Sequence, residues 1–177
     1  MRSEDTPQVT KIDLACFPTM LPATNYRTEL INPLAHYIVA LGDERPVESD
    51  DQSIVGFAGL WMLAGEAHII NIAVHEACQG RGLGELLLLG LSQKAQGLQA
   101  IMLTLEVRVS NTVAQKLYVK YGFTERGRRR AYYTDNREDA IIMTLDDPAS
   151  PAYSTALDVL RRDYEQRWQR NSLLGDD

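Results

Sequence analysis

Cysteine is scarce in this chain. Cys16 and Cys78 are the only two in 177 residues, too few for a disulfide framework, and neither stands at a metal-site spacing. That usage suits a reducing compartment, so a cytoplasmic home is expected. Long apolar runs are missing too. The longest near-apolar stretch, Leu86 to Leu91, contains Gly90 and falls far short of the roughly 20 residues of a membrane span. The N-terminus, MRSEDTPQVT, is polar and charged, with no signal-peptide core behind it. A soluble protein with no membrane partner is therefore expected. Positive charge is in deficit, because 18 Lys+Arg against 24 Asp+Glu leave a net −6. Such a chain suits a cationic partner better than nucleic acid. Its 45% hydrophobic and 24% charged residues exclude disorder and fibrous repeats. The length suits one domain with its own core.

Periodicity orders the chain. Val9, Ile12, Cys16 and Phe17 recur at helical spacing, which predicts an amphipathic helix over 6–17. A short helix over 23–31 ends at Asn32-Pro33. Strands are predicted over 36–41 and 54–62, joined by the acidic loop GDERPVESDDQS. The nearly continuous apolar run 67–74 suits a strand buried on both faces. In the helix that follows, over 83–96, Gly90 costs about 1 kcal/mol of helix propensity and implies close packing against a neighbour. Next come a second buried strand over 100–107, a helix over 111–121 stopped by Gly122, and strands over 123–133 and 140–145. This order places a strand–helix–strand crossover, 67–107, inside a mixed α/β sheet. Its ligands belong at the carboxyl ends of the strands. Beyond Asp147-Pro148, Tyr153, Leu157, Leu160, Tyr164 and Trp168 form one apolar stripe, which reads as a helix packed on the parent domain, with a partner-binding helix as the alternative. Residues 1–147 are thus the expected domain and 148–177 a helical extension.

The segment Gln79-Gly80-Arg81-Gly82-Leu83-Gly84 occupies a strand-to-helix turn. Glycines there let the backbone bend and bring N–H groups close to a ligand, while the helix start adds unpaired amides and the positive end of its dipole. A phosphate or pyrophosphate is the natural guest. No Lys-Ser or Lys-Thr follows, which excludes the phosphate loop of nucleotide hydrolases, and a GxGxxG fingerprint fails because its third glycine falls on Glu85 or Leu87. Taken singly, Glu106 at a strand end reads as a solvated or salt-bridged side chain, Tyr118 as helix packing and Asn111 as an N-cap. His36, His68 and His75 are scattered, without metal or triad spacing. Arg126, Arg128, Arg129 and Arg130 form a basic cluster, either solvated or in contact with a cofactor phosphate or an acidic partner surface.

The glycine segment resembles the Q/R-x-x-G-x-G/A motif of the GNAT superfamily of N-acetyltransferases. The likeness continues through Asn71-Ile72-Ala73-Val74, Leu105-Glu106-Val107-Arg108-Val109-Ser110-Asn111, Leu117-Tyr118 and Tyr121-Gly122-Phe123. It ends with Arg129-Arg130-Ala131-Tyr132-Tyr133 and Arg137-Glu138-Asp139-Ala140-Ile141-Ile142-Met143, and is strong over residues 69–145. The resemblance implies a GNAT fold: a mixed central sheet flanked by helices, with a splayed parallel strand pair that binds acetyl-coenzyme A. A C-terminal helix is added here. It implies metal-free, direct acetyl transfer to a protein N-terminal α-amino group, with the N-terminal alanine of a small-subunit ribosomal protein as the expected acceptor. A lysine, polyamine or small-molecule amine is the alternative acceptor, and a coenzyme-binding regulator without turnover is a third reading. Glu106 takes the role of proton acceptor, its pKa raised by partial burial, and Tyr118 that of proton donor to the thiolate. Cofactor contacts fall on Ile72, Ala73, Val74, Gln79, Gly80, Arg81, Gly82, Leu83, Gly84, Glu85 and Asn111, and Tyr132 and Tyr133 would line a peptide groove. A monomer or weak homodimer without direct nucleic-acid contact is expected. Two features depart from the family. Only about five residues precede the first helix, where the family has a strand, so one sheet edge is expected to be open. Phe17-Pro18-Thr19-Met20-Leu21-Pro22 is only loosely like the family's substrate-side Phe-Pro-Trp segment.

Overall fold

Helix α1, Thr6–Cys16, begins with Pro7 in its first turn, where a missing N–H costs nothing. It buries Val9 and Ile12. A computed structural model describes residues 1–18, 24–42 and 53–173, with side chains to Trp168. Most of the acidic loop, Ala23 at the expected start of the second helix and Thr19–Pro22 lie outside the described residues. Helix α2, Tyr26–Ile31, is capped by Asn25, whose side chain accepts a hydrogen bond from the Thr28 amide.

Six strands form one sheet: β1 Ala35–Leu41, β2 Ile54–Leu63, β3 Glu66–Val74, β4 Met102–Arg108, β5 Thr124–Tyr133 and β6 Glu138–Asp146. Their spatial order is β1-β2-β3-β4-β6-β5. Every pairing is antiparallel except β3 with β4, which are joined through helix α3, Leu83–Gly97. Helix α4, Thr112–Lys120, follows β4, and helix α5, Pro151–Leu173, follows β6. Among the described residues no strand precedes α1, and β1 is the sheet edge on that side.

Two cores hold the sheet from opposite faces. On one, Leu87, Leu88, Leu89 and Leu91 of α3 meet Leu103, Leu105 and Val107 of β4 and Ile141, Met143 and Leu145 of β6. The close approach implied by Gly90 is present, because a Cβ there would lie 2.7 Å from Ile38 Cδ1. On the other face, Val9, Ile12 and Tyr26 pack with Ile54, Phe57 and Ala73. The α5 stripe joins the first core: Leu157 is 3% exposed, Tyr153, Leu160 and Tyr164 pack beside it, and the Tyr153 hydroxyl donates to the Tyr121 carbonyl.

Strand β3 departs from the expectation of burial on both faces. It alternates, and its alternation switches at a bulge. Gly59 pairs with Asn71 and Leu60 with Ile69, leaving Ile70 as the extra residue. Ala67 and Ile69 therefore face α3 while Ala73 joins the core under α1, although an unbroken strand would send all three to one side. Beyond the bulge lies the feature that positions the site. The parallel ladder runs only from Glu66↔Met102 to His68↔Thr104, whereas β3 continues to Val74 and β4 to Arg108. The two strands part there, and among the described residues the edge of β3 facing β4 has no strand partner over its carboxyl half.

Candidate active site

The glycine turn lies at the carboxyl end of β3. The chain passes through a single 3-10 turn, Glu76–Cys78, and the Gln79 side chain reaches back to donate to the Val74 carbonyl at 3.2 Å. Gly80 and Gly82 both have φ +75°, a left-handed geometry that glycine adopts without penalty. Gly82 is the N-cap of α3 and offers no side-chain acceptor, so the first amides of the helix, at Leu83, Gly84 and Glu85, lack intrahelical partners. The space that a Cβ would fill at Gly80 and Gly84 is open. A turn of bare amides with open approach suits a pyrophosphate, and the residues fit the coenzyme A diphosphate on that ground.

At Gly82 the same space holds the Trp168 indole, which a Cβ would strike. Helix α5 is fixed here by Glu85: its Oε1 accepts from Lys120 Nζ at 2.8 Å, Arg167 Nη2 at 2.8 Å and the Tyr121 hydroxyl at 3.0 Å. Burial pushes the Glu85 pKa up, but these three donors outweigh it and hold the carboxyl below its usual range. The Glu85 side chain thus serves the fold, leaving its amide to the turn. Asn111 is likewise engaged as the N-cap of α4, accepting from the Ala114 amide at 3.1 Å. Gly122 has φ +87° just past α4, as its stop signal implied.

Glu106 stands two residues beyond the last ladder pair, where β3 and β4 part. His68 Nε2 lies 2.6 Å from its Oε2 and Arg129 Nη2 3.1 Å from its Oε1, and the carboxylate side chain is only 8% exposed. The expectation of a raised pKa is overturned. The His68 hydrogen bond is the largest influence and lowers it, desolvation raises it, and the electrostatic influence of the His68 ring and the Arg129 guanidinium adds to the lowering. Glu106 is accordingly held ionised. Sequence reading missed His68 as its partner, because a contact between strands depends on their register.

The far wall is built by the β5–β6 hairpin. A bulge between Arg129 and Tyr133, with Ala131 at φ +48°, turns Tyr132 and Tyr133 edge to face at 5.2 Å. Arg129 lies over Tyr132 and Arg108 over Tyr133, the latter at 3.8 Å. Three arginines of the basic cluster are committed to carboxylates of the same chain: Arg126 to Asp146, Arg128 to Glu125 and Arg129 to Glu106. Tyr118 on α4 packs beside Phe123, and burial, the main cause, pushes its pKa up to about 12. Its hydroxyl therefore stays protonated through neutral pH.

Arg108 also anchors the hairpin, pairing with Asp135 and Glu138, and Glu138 Oε1 accepts from the Ser110 amide at 2.7 Å. Hydrogen bonds from Ser110, then Arg108, outweigh desolvation and lower the Glu138 pKa from 4.5 to about 2. A depressed folded pKa adds stability that is present above the unfolded value and lost as pH falls through the folded one. Thermal melts of the protein should therefore lose Tm between pH 4.5 and 2. Glu138→Gln should be less stable at neutral pH and should flatten that limb, and an unchanged limb would contradict the assignment.

The chain belongs to the acetyltransferase (GNAT) family, whose family model matches residues 6–123. A Bacillus subtilis (strain 168) protein, provisionally named a [ribosomal protein bS18]-alanine N-acetyltransferase, is 40% identical over 144 residues, which cover 81% of this chain and 90% of that protein. The crystal structure of the ribosomal-protein-S18-alanine N-acetyltransferase from Escherichia coli superposes with a TM-score of 0.67 at 30% identity, covering 83% of this chain and 90% of the other. A provisionally named streptothricin acetyltransferase from Bacillus anthracis str. Ames, solved in complex with acetyl coenzyme A, matches with a TM-score of 0.58 at 25% identity, over 70% of this chain and 68% of that one.

Proposed function

We propose that this protein acetylates the N-terminal α-amine of a protein, using acetyl-coenzyme A, and that the N-terminal alanine of ribosomal protein bS18 is its acceptor. The observation that carries the reading is the parting of β3 from β4 beside an ionised, nearly buried Glu106, with the glycine turn at the end of β3. The names of the Bacillus and Escherichia relatives support the acceptor. Residues 1–147 form the transferring unit, and Arg167 and Trp168 of the extension 148–177 pack helix α5 against its glycine turn.

Bound acetyl-coenzyme A supplies the acetyl thioester. Gln79, Gly80, Arg81, Gly82, Leu83, Gly84 and Glu85 hold the diphosphate through backbone groups, and Asn111 borders the coenzyme from α4. The unpaired edge of β3 at Ile72, Ala73 and Val74 offers main-chain groups to the pantetheine arm, as a sheet edge does to an added strand. An N-terminal amine, with a pKa near 7.7–8.0, is largely protonated at neutral pH, so it must lose a proton before it attacks. The Glu106 carboxylate stabilises that proton's departure. The carbon–nitrogen bond forms as the carbon–sulfur bond breaks. Of the two protons that the ammonium gives up, one ends on the coenzyme thiol, the count being kept through Tyr118, and the other leaves to solvent. Tyr132 and Tyr133 flank the incoming peptide.

A panel of peptides that differ only in the first residue tests the acceptor. The peptide beginning with alanine should show the highest kcat/KM, and a flat profile across the panel would overturn alanine selectivity.

A further inference from the structure

Glu106 has both oxygens engaged, one by His68 and one by Arg129, and its side chain is 8% exposed. The imidazole of the pair is 41% exposed, so the histidine is the member that an incoming amine can meet. His68 is also the last residue of the β3 ladder, opposite Thr104. The bond from its ring to Glu106 consequently spans the two strands at the point where they part. An ionised carboxylate only accepts hydrogen bonds, so Nε2 carries the hydrogen of this contact and Nδ1 is the ring nitrogen left for exchange. Among the described residues no donor reaches Nδ1. A carboxylate behind one ring nitrogen fixes the ring's orientation and stabilises the imidazolium when the other nitrogen takes a proton, as in the histidine–carboxylate pairs of hydrolases.

We infer that His68 Nδ1 is the acceptor of the substrate amine's proton, with Glu106 as the positioning residue behind it and Arg129 holding the carboxylate from its other side. The inference rests on the acetyltransferase reading and refines who moves the proton in it. The ammonium gives one proton to Nδ1 and becomes the neutral nucleophile. His68 becomes an imidazolium paired with the Glu106 carboxylate, then releases the proton to solvent, so the dyad returns to its starting charge. Histidine is the side chain suited to exchange near neutral pH, whereas Glu106, kept ionised by its partners, is a weak base towards an ammonium group. Arg129, which holds the second Glu106 oxygen at 3.1 Å, also lies over the Tyr132 ring of the β5 wall.

His68→Gln is the discriminating variant. Its amide can still donate to Glu106 and keep the carboxylate in place, but it cannot take a proton. With acetyl-coenzyme A and a free N-terminal peptide, kcat should fall about 100-fold or more, the scale of general-base catalysis, while the KM for acetyl-coenzyme A stays within about twofold. His68→Ala should show a similar loss, and added imidazole should restore part of its turnover by entering the vacated space. A His68→Gln enzyme with kcat within about threefold of the parent would overturn the inference, as would a His68→Ala enzyme that imidazole does not rescue. The acetyltransferase reading fails separately, by absence of transfer from the parent protein.

Discussion

Glu106→Gln should lower kcat about 100-fold or more with little change in the KM for acetyl-coenzyme A, the pattern of a group that acts on proton transfer and not on coenzyme binding. Glutamine keeps the shape and an acceptor oxygen but removes the charge that orients His68 and offsets the imidazolium. The His68 hydrogen bond holds the Glu106 carboxyl below its usual range, so the carboxylate is already ionised throughout the neutral range. The loss should therefore persist across the whole range from about pH 6 to 9. A second consequence concerns stability. The depressed pKa means that Glu106 contributes folding stability above its unfolded pKa and loses that contribution as pH falls through the folded value. The variant should thus melt lower than the parent at neutral pH, with the gap closing in acid. A kcat within about threefold of the parent would remove Glu106 from the proton path.

Gly82→Val should have a comparably large effect through a different route. At φ +75° a β-branched residue is strained, at a cost on the order of 1–3 kcal/mol, and its side chain would enter the space of the Trp168 indole. For a chain of this length each kcal/mol corresponds to roughly 2–4 °C of Tm, so the variant should melt several degrees lower. The amides of Leu83, Gly84 and Glu85 would be shielded or displaced, and calorimetric titration should show coenzyme A binding weakened by about tenfold or more, as expected for a diphosphate that loses backbone donors. Adding Trp168→Ala separates the two causes. It should relieve the collision and recover part of the Tm, but not the strain at φ +75°. Wild-type affinity in Gly82→Val would show that the diphosphate is held elsewhere.

Much of this architecture is legible in the sequence because it is written in short-range pattern. The apolar stripe of Tyr153, Leu157, Leu160, Tyr164 and Trp168 needs only helical spacing to be seen; its first four members pack into the α3 core and Trp168 lies against Gly82. Gly82 and Gly122 mark a helix start and a helix stop in positive-φ conformations. Features that depend on register are hidden. The extra residue Ile70 sits inside an unbroken apolar run, so nothing marks the bulge that sends Ala73 to the opposite face. His68 and Glu106 lie 38 positions apart and meet only because β3 and β4 align His68 with Thr104. Raised acidity at Glu106 follows from the same contact, and burial alone gives the wrong sign. Glu85 is legible as part of the glycine turn, yet its carboxylate anchors α5 through Arg167 and α4 through Lys120, because both helices converge on the start of α3.

The central claim, acetyl transfer to a protein's α-amine, is tested most directly by locating the acetyl group in a product peptide. A peptide with a free N-terminal alanine and one internal lysine is incubated with the protein and acetyl-coenzyme A, and fragment-ion mass spectrometry assigns the modified nitrogen. The alanine α-nitrogen should carry the acetyl group, the lysine side chain should stay unmodified, and a peptide with a blocked N-terminus should not react. Acetylation of the lysine at an equal rate in the blocked peptide would contradict the claim.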